Sequence, residues 1–143
     1  RFGIQIDSLN DLVCFGVLPA AVGWSIGCGG VWFLATMSFF VLCALIRLAY
    51  FNVMEEERQE QTDALRHCYL GVPVTASAFV MPLFYLLALY LELDRAVFYA
   101  VGAFLLGVLY ITPLHVRKPK LGGILAMAVL GLAELLALIC VML

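Results

Sequence analysis

Residues 70–91 and 96–114 contain no charged side chain, and residues 121–143 contain one, Glu134. A helix needs about 20 apolar residues to cross the hydrocarbon core of a bilayer. A fourth stretch, 31–54, is interrupted only by Arg47 and Asn52, and a fifth, 2–22, is apolar after Asp7 and Asp11. Four glycines between residues 23 and 30 mark the break between those two. Lipid-facing barrel strands alternate apolar and polar residues, and these runs do not. The chain is 65% hydrophobic and 13% charged, with mean hydropathy +1.08. A disordered chain needs low hydrophobicity, and a soluble globule could not hide this much apolar surface. The expected fold is all-α: a polytopic transmembrane bundle of about five spans, forming one membrane domain over residues 1–143.

Charge sets the expected orientation. The N-terminus and the connections 54–71 and 114–120 fall on one side of such a bundle. They collect Arg1, Arg47, Arg58, Arg66, Arg117, Lys118 and Lys120, against Arg95 alone on the other. Basic loops stay in the cytoplasm, so the first side is expected there. Trp24, Trp32, Tyr90 and Tyr99 then fall near the outer boundary, as an aromatic belt would. The net charge of −2 gives no basic field for nucleic acid. The five cysteines show no C-x-x-C spacing and read as small buried hydrophobes. The polar, acidic start, with Arg1 in place of Met, does not read as a signal peptide.

Ionisable groups inside spans are expensive, about 2.5–3.5 kcal/mol each at the bilayer centre, and so mark sites. Asp7, Asp11, Arg47 and Glu134 qualify. At about 100° per residue, Asp7 and Asp11 sit about 40° apart on one helix face, with Gly3 a turn earlier on it. Two ionised carboxylates so close repel. A cation between them removes the cost, and all-oxygen ligands suit Mg²⁺, Mn²⁺ or Ca²⁺. The other reading is two solvated interfacial aspartates. Arg47, near the cytoplasmic helix end, can bind a phosphate or carboxylate or simply snorkel to the interface. Gly71 and Pro73 open a helix whose N-terminus attracts anions. Glu134 matches no motif and is expected to pair with a buried polar group or stay protonated. His67 and His115 have no metal-ligand spacing. The cluster from His115 to Lys120 reads as a topology determinant or an anionic-lipid contact.

Gly3-Ile-Gln-Ile-Asp7-Ser-Leu-Asn-Asp11 resembles G-x-x-x-D-x-x-x-D, the second half of the signature of the CDP-alcohol phosphotransferases. Asp7-Ser8-Leu9-x-Asp11 followed by Phe15-Gly16-Val17-x-Pro19-Ala20 resembles the phosphatidylserine synthase branch of that family. Arg47-Leu-Ala-Tyr-Phe-Asn52 resembles its R-L-A-R-F-N, with Tyr50 replacing an Arg. Gly71-Val-Pro73-Val-Thr75 resembles its G-L-P motif. The first half of the signature, D-x-x-D-G-x-x-A-R, is absent from these residues. The chain is therefore expected to be the C-terminal portion of a longer protein, inactive alone, rather than a degenerate member.

The resemblance implies metal-dependent transfer of a phosphatidyl group from CDP-diacylglycerol to the hydroxyl of L-serine, with CMP leaving. It implies metal ligation by Asp7 and Asp11, proton removal by Asp11, and donor contacts from Gly3 and Arg47. Mg²⁺ or Mn²⁺ is the expected cofactor, and a homodimer is expected in a prokaryotic cytoplasmic membrane, with the active site on the cytoplasmic face. Glycerol phosphate or inositol phosphate as acceptor is the near alternative. A transporter or non-catalytic scaffold is the distant one; it would set charges opposite one another at midplane, whereas these cluster near one face.

Overall fold

The computed structural model describes residues 2–27, 29–61, 68–113, 115–117 and 121–142. Arg1, Cys28, Arg66, His67, Lys118 and Lys120 lie outside the described residues. The chain forms α1 (Phe2–Leu12), a π-helical turn (Val13–Val17), α2 (Leu18–Ser25) and α3 (Val31–Gln61). Then come strand β1 (Cys68–Leu70), a 3₁₀ turn (Val74–Ala76), α4 (Ser77–Tyr90), α5 (Arg95–Ile111), strand β2 (His115–Arg117) and α6 (Leu121–Met142). The fold is helical, as expected, apart from the three-residue antiparallel ladder of β1 and β2, in which Tyr69 faces Val116.

Two helical rods, Phe2–Ser25 and Val31–Glu56, are long and apolar enough to cross a membrane. Val74–Tyr90, Arg95–Ile111 and Ala126–Val141 are apolar but shorter. Among the described residues there are five apolar rods, of which two qualify as spans by length and composition.

Local chemistry fixes where these rods start and stop. Pro19 has no N–H to return to the carbonyl of Phe15, four residues back. The helix widens there into the π turn, in which the Leu18 N–H reaches the Val13 carbonyl. α3 starts after Gly30, whose φ of +138° favours glycine. It runs 31 residues, about 46 Å at 1.5 Å per residue, well beyond a hydrocarbon core of about 30 Å. The apolar stretch ends near residue 54, but the helix does not, because Glu55 to Gln61 are good helix formers that need no burial. The expected polar connection therefore starts later than 54. Asp94 caps α5, its Oδ1 accepting from the N–H groups of Ala96 (2.9 Å) and Val97 (3.4 Å). α4 starts at Ser77 rather than at residue 70, because 68–70 pair with β2 and Pro73 holds an extended conformation.

The core lies where α5 packs on α3 and α4. Met37, Phe40, Cys43, Ala44 and Leu48 of α3 meet Tyr99, Ala103, Leu106 and Tyr110 of α5, with Val74 and Met81 alongside. Glycines on α5 receive rings. A Cβ at Gly102 would lie 2.8 Å from Phe84 Cγ, and one at Gly107 would lie 3.0 Å from Phe39 Cε1. With no side chain of their own, these glycines permit the close approach. α6 packs on α4, with Gly131 against Phe79.

Three expectations are corrected here. Gly23 is not in a break but inside α2, buried against Tyr99 and Phe33. Tyr99 is not a belt residue: it is 3% exposed, and its hydroxyl donates to the Pro19 carbonyl at 2.8 Å. Trp24, Trp32 and Tyr90 are exposed, as a belt requires. Of the three cysteines described as free thiols, Cys43 alone is buried, while Cys14 and Cys140 are exposed.

Candidate functional site

A cavity of about 220 Å³ lies between the end of α1, the second half of α3 and the turn before α4. It is lined by Asp11, Arg47, Leu48, Phe51, Gly71, Pro73, Val74 and Thr75. Residues from all three sequence motifs meet there. Asp11 is half-buried at the last turn of α1, and Arg47 is 8% exposed on α3. The Arg47 Nε donates to the Val72 carbonyl at 3.2 Å. A carboxylate and a guanidinium around one small cavity suit a ligand that carries an anion and presents a proton to be taken.

Asp7 and Gly3 do not line this cavity. Both are exposed on α1, and nothing stands within 4 Å of a Cβ placed at Gly3. Asp7 lies one turn from Asp11 on the same face, about 5–6 Å away between Cβ atoms at that spacing. Among the described residues no group of three Asp, Glu, His or Cys side chains gathers. The two carboxylates suit a hard divalent cation by donor chemistry, and they fill only part of its coordination shell. Further oxygens would come from a ligand phosphate, water or other carboxylates.

Ser8 sits about 100° around the helix from Asp7 and turns to α3. Its Oγ donates to the Ile4 carbonyl at 3.1 Å or to Asn52 Oδ1 at 2.9 Å. Asn52 does not share a cavity with Arg47; with Ser8, Gln5 and Leu12 it lines a separate space of about 270 Å³. The pair ties α1 to α3. Gly71 and Pro73 do precede a helix, but the first helical turn is the 3₁₀ turn at Val74.

Two functional supports escaped the sequence reading. Ser77, 1% exposed, donates from Oγ to the Phe15 carbonyl at 2.8 Å, which Pro19 leaves without its ordinary partner. The Tyr110 hydroxyl donates to the Val74 carbonyl at 2.9 Å. Together they fasten the cavity's 71–77 wall to the π turn and to α5. A proline four residues after Phe15 was the available signal for the first; nothing in the sequence announces the second. Glu134 is buried on α6, and its Oε1 has no hydrogen-bond partner among the described residues. It is not among the residues lining this cavity.

Apolar rods that place a carboxylate and a guanidinium around one small cavity define a class: a helical protein whose cavity suits an anionic ligand beside apolar surface. The relatives narrow that class. No family model matches the chain. It is 41% identical over 85 residues to a CDP-diacylglycerol–serine O-phosphatidyltransferase of Saccharomyces cerevisiae, covering 58% of this chain and 31% of that protein. It is 32% identical over 128 residues to the enzyme of that name from Helicobacter pylori, covering 84% of this chain and 49% of that protein. It is 32% identical over 96 residues to an archaetidylserine synthase of Methanothermobacter thermautotrophicus, covering 66% of this chain and 38% of that protein. The chain thus spans half or less of the length of these relatives. Over the part they cover, the matches support the phosphatidylserine synthase branch of the CDP-alcohol phosphotransferases.

Proposed function

We propose that this chain carries part of the active site of a CDP-diacylglycerol–serine O-phosphatidyltransferase. One observation carries the reading: Asp11, Arg47, Gly71, Pro73 and Thr75, drawn from three separate motifs, line a single cavity. Serine's hydroxyl oxygen forms a bond to the phosphorus of CDP-diacylglycerol, the bond from that phosphorus to the CMP oxygen breaks, and the hydroxyl proton passes to the Asp11 carboxylate. Asp11 is a weak base for an alcohol, so proton transfer is concerted with attack. Arg47 holds an anionic group of a substrate, and Gly3 leaves room beside α1 for the nucleotide.

Asp7 and Asp11 would together hold Mg²⁺ or Mn²⁺, with Ca²⁺ as a further hard cation. When bound, such an ion neutralises charge on the transferring phosphate. All five apolar rods cross the bilayer in this reading, the shorter ones matched by tilt of their neighbours and local thinning. The basic residues support a cytoplasmic site in a prokaryotic cytoplasmic membrane. There the lipid tails stay in the bilayer while serine and CMP stay in water. The ladder of β1 with β2 supports this sidedness, since it joins the connections 54–71 and 114–120, which hold Arg58, Arg66, Arg117, Lys118 and Lys120, at one end. A homodimer is part of the same reading.

The test follows CMP release from CDP-diacylglycerol by the full-length protein in detergent–lipid micelles. Serine, glycerol 3-phosphate and inositol phosphate are offered separately, with Asp11→Asn alongside. Release that requires serine and disappears in Asp11→Asn is expected. Release with another acceptor moves the substrate, and no release with any acceptor from folded protein refutes the transferase reading.

A further inference from the structure

Gly71 sits against the Arg47 guanidinium. A Cβ at position 71 would lie 2.7 Å from Arg47 Cζ and 2.8 and 2.9 Å from its two terminal nitrogens. Three nearly equal distances mean that the guanidinium presents its face to that position. The next residue holds one edge: the Val72 carbonyl accepts from Nε at 3.2 Å. Gly71 also adopts φ +89°, a conformation that L side chains rarely take. The turn is itself fastened, at Val74 by Tyr110 and at Ser77 through the Phe15 carbonyl. The backbone at 71 and 72 thus forms one wall of the seat in which this buried arginine meets the cavity it shares with Asp11.

We propose that Gly71 is a positioning residue for the reaction: its missing side chain sets where the Arg47 guanidinium meets the anionic group of a substrate. This rests on the reading of the cavity as a phosphatidyl-transfer site. Ordinary contact distances begin near 3.4 Å, so any side chain at 71 pushes the guanidinium by most of an ångström. A misplacement of about 1 Å lowers turnover by about 10²-fold in well-aligned sites. The anion held by Arg47 is a phosphate of the lipid donor or the carboxylate of serine, and both have the same fork-shaped complement to a guanidinium.

The experiment compares the full-length protein with Gly71→Ala, Arg47→Ala and the double variant in detergent–lipid micelles. It reads kcat, the KM of each substrate and the melting temperature. Gly71→Ala is expected to lower kcat/KM by about 10²-fold, whereas in the Arg47→Ala background the same change has little further effect. A rise in the KM of CDP-diacylglycerol assigns the anion as phosphate, and a rise in that of serine assigns it as carboxylate. An equal loss from Gly71→Ala with and without Arg47 overturns the proposal, as does full activity in Gly71→Ala. If Gly71→Ala does not fold, the double variant decides. Recovery of a folded protein identifies the collision with Arg47 and supports the proposal. Continued failure identifies backbone strain alone and overturns it. No CMP release from the folded, unsubstituted protein with any acceptor would instead count against the transferase reading, while release that survives in Asp11→Asn counts against Asp11 as the base and leaves the dependence of Gly71 on Arg47 to be scored by the same cycle.

Discussion

Replacing Ser77 by alanine should destabilise the fold far more than a surface hydroxyl would. Ser77 is 1% exposed, and its Oγ donates to the Phe15 carbonyl at 2.8 Å. Hydrogen bonds between transmembrane helices are worth only about 0.6 kcal/mol on average, because the partners usually find substitutes. This carbonyl has none of the ordinary kind. Pro19, four residues on, has no N–H, and the space beside Phe15 and Ser77 is mostly apolar; its other side-chain donors are the Tyr85 hydroxyl, the weak Cys14 thiol and the Tyr99 hydroxyl, which is given to the Pro19 carbonyl. The expected loss is therefore the desolvation penalty of a part-buried acceptor that loses this donor, about 1–3 kcal/mol. Reversible unfolding by SDS in mixed micelles, followed by circular dichroism, measures it. Pro19→Ala supplies the control, since it returns an N–H to the Phe15 carbonyl. In that background Ser77→Ala should lose only about 0.6 kcal/mol, the average figure. A neutral Ser77→Ala in the wild-type background, or one equally harmful in both, would refute the reasoning that Pro19 makes this hydroxyl necessary.

Other outcomes follow from the same geometry. Gly23→Ala brings a Cβ to 2.8 Å from Tyr99 Cε1 and 3.1 Å from Phe33 Cζ; the overpacking should destabilise by about 1–3 kcal/mol in the same SDS titration. Tyr99→Phe, which keeps the ring and loses the bond to the Pro19 carbonyl, should lose about 1 kcal/mol. Glu134→Leu removes a buried carboxylate with one oxygen unpartnered; it should leave the melting temperature unchanged or raised, with CMP release retained, since well-packed apolar replacements of buried charge are often neutral or stabilising. Chelation by EDTA should stop CMP release, and added Mg²⁺ or Mn²⁺ should restore it, if Asp7 and Asp11 hold a cation; unchanged release in EDTA removes the metal from the proposal.

The helix positions that matter were legible one rod at a time. The i, i+4 spacing put Asp7 and Asp11 on one face, with Gly3 a turn earlier, before any tertiary contact was known. Orientation on a helix follows from about 100° per residue alone. Helix ends were less legible. The stretch 31–54 was read from hydropathy, but α3 continues to Gln61 because helix propensity outlasts apolarity. Tyr99 shows the same limit from the other direction. An aromatic near a predicted boundary can face lipid or protein, and only its bond to the Pro19 carbonyl decides between them.

What the sequence by itself determined is the class of fold, the number of apolar rods and the motifs that point to phosphatidyl transfer. The first two depend on composition and on periods of a few residues, which are local properties, and the third on short motifs that resemble those of a known family. What only the tertiary structure decided is how the motifs meet. Asp11 shares a cavity with Arg47 and the 71–75 turn, while Asp7 and Gly3 stay outside it and Asn52 turns to Ser8. Gly71 lies beside Arg47 although 24 residues separate them, a distance (71 − 47) no helix period spans. Its role follows from the absence of an atom, and an absence has consequences only where another side chain, packed from elsewhere in the chain, needs that space.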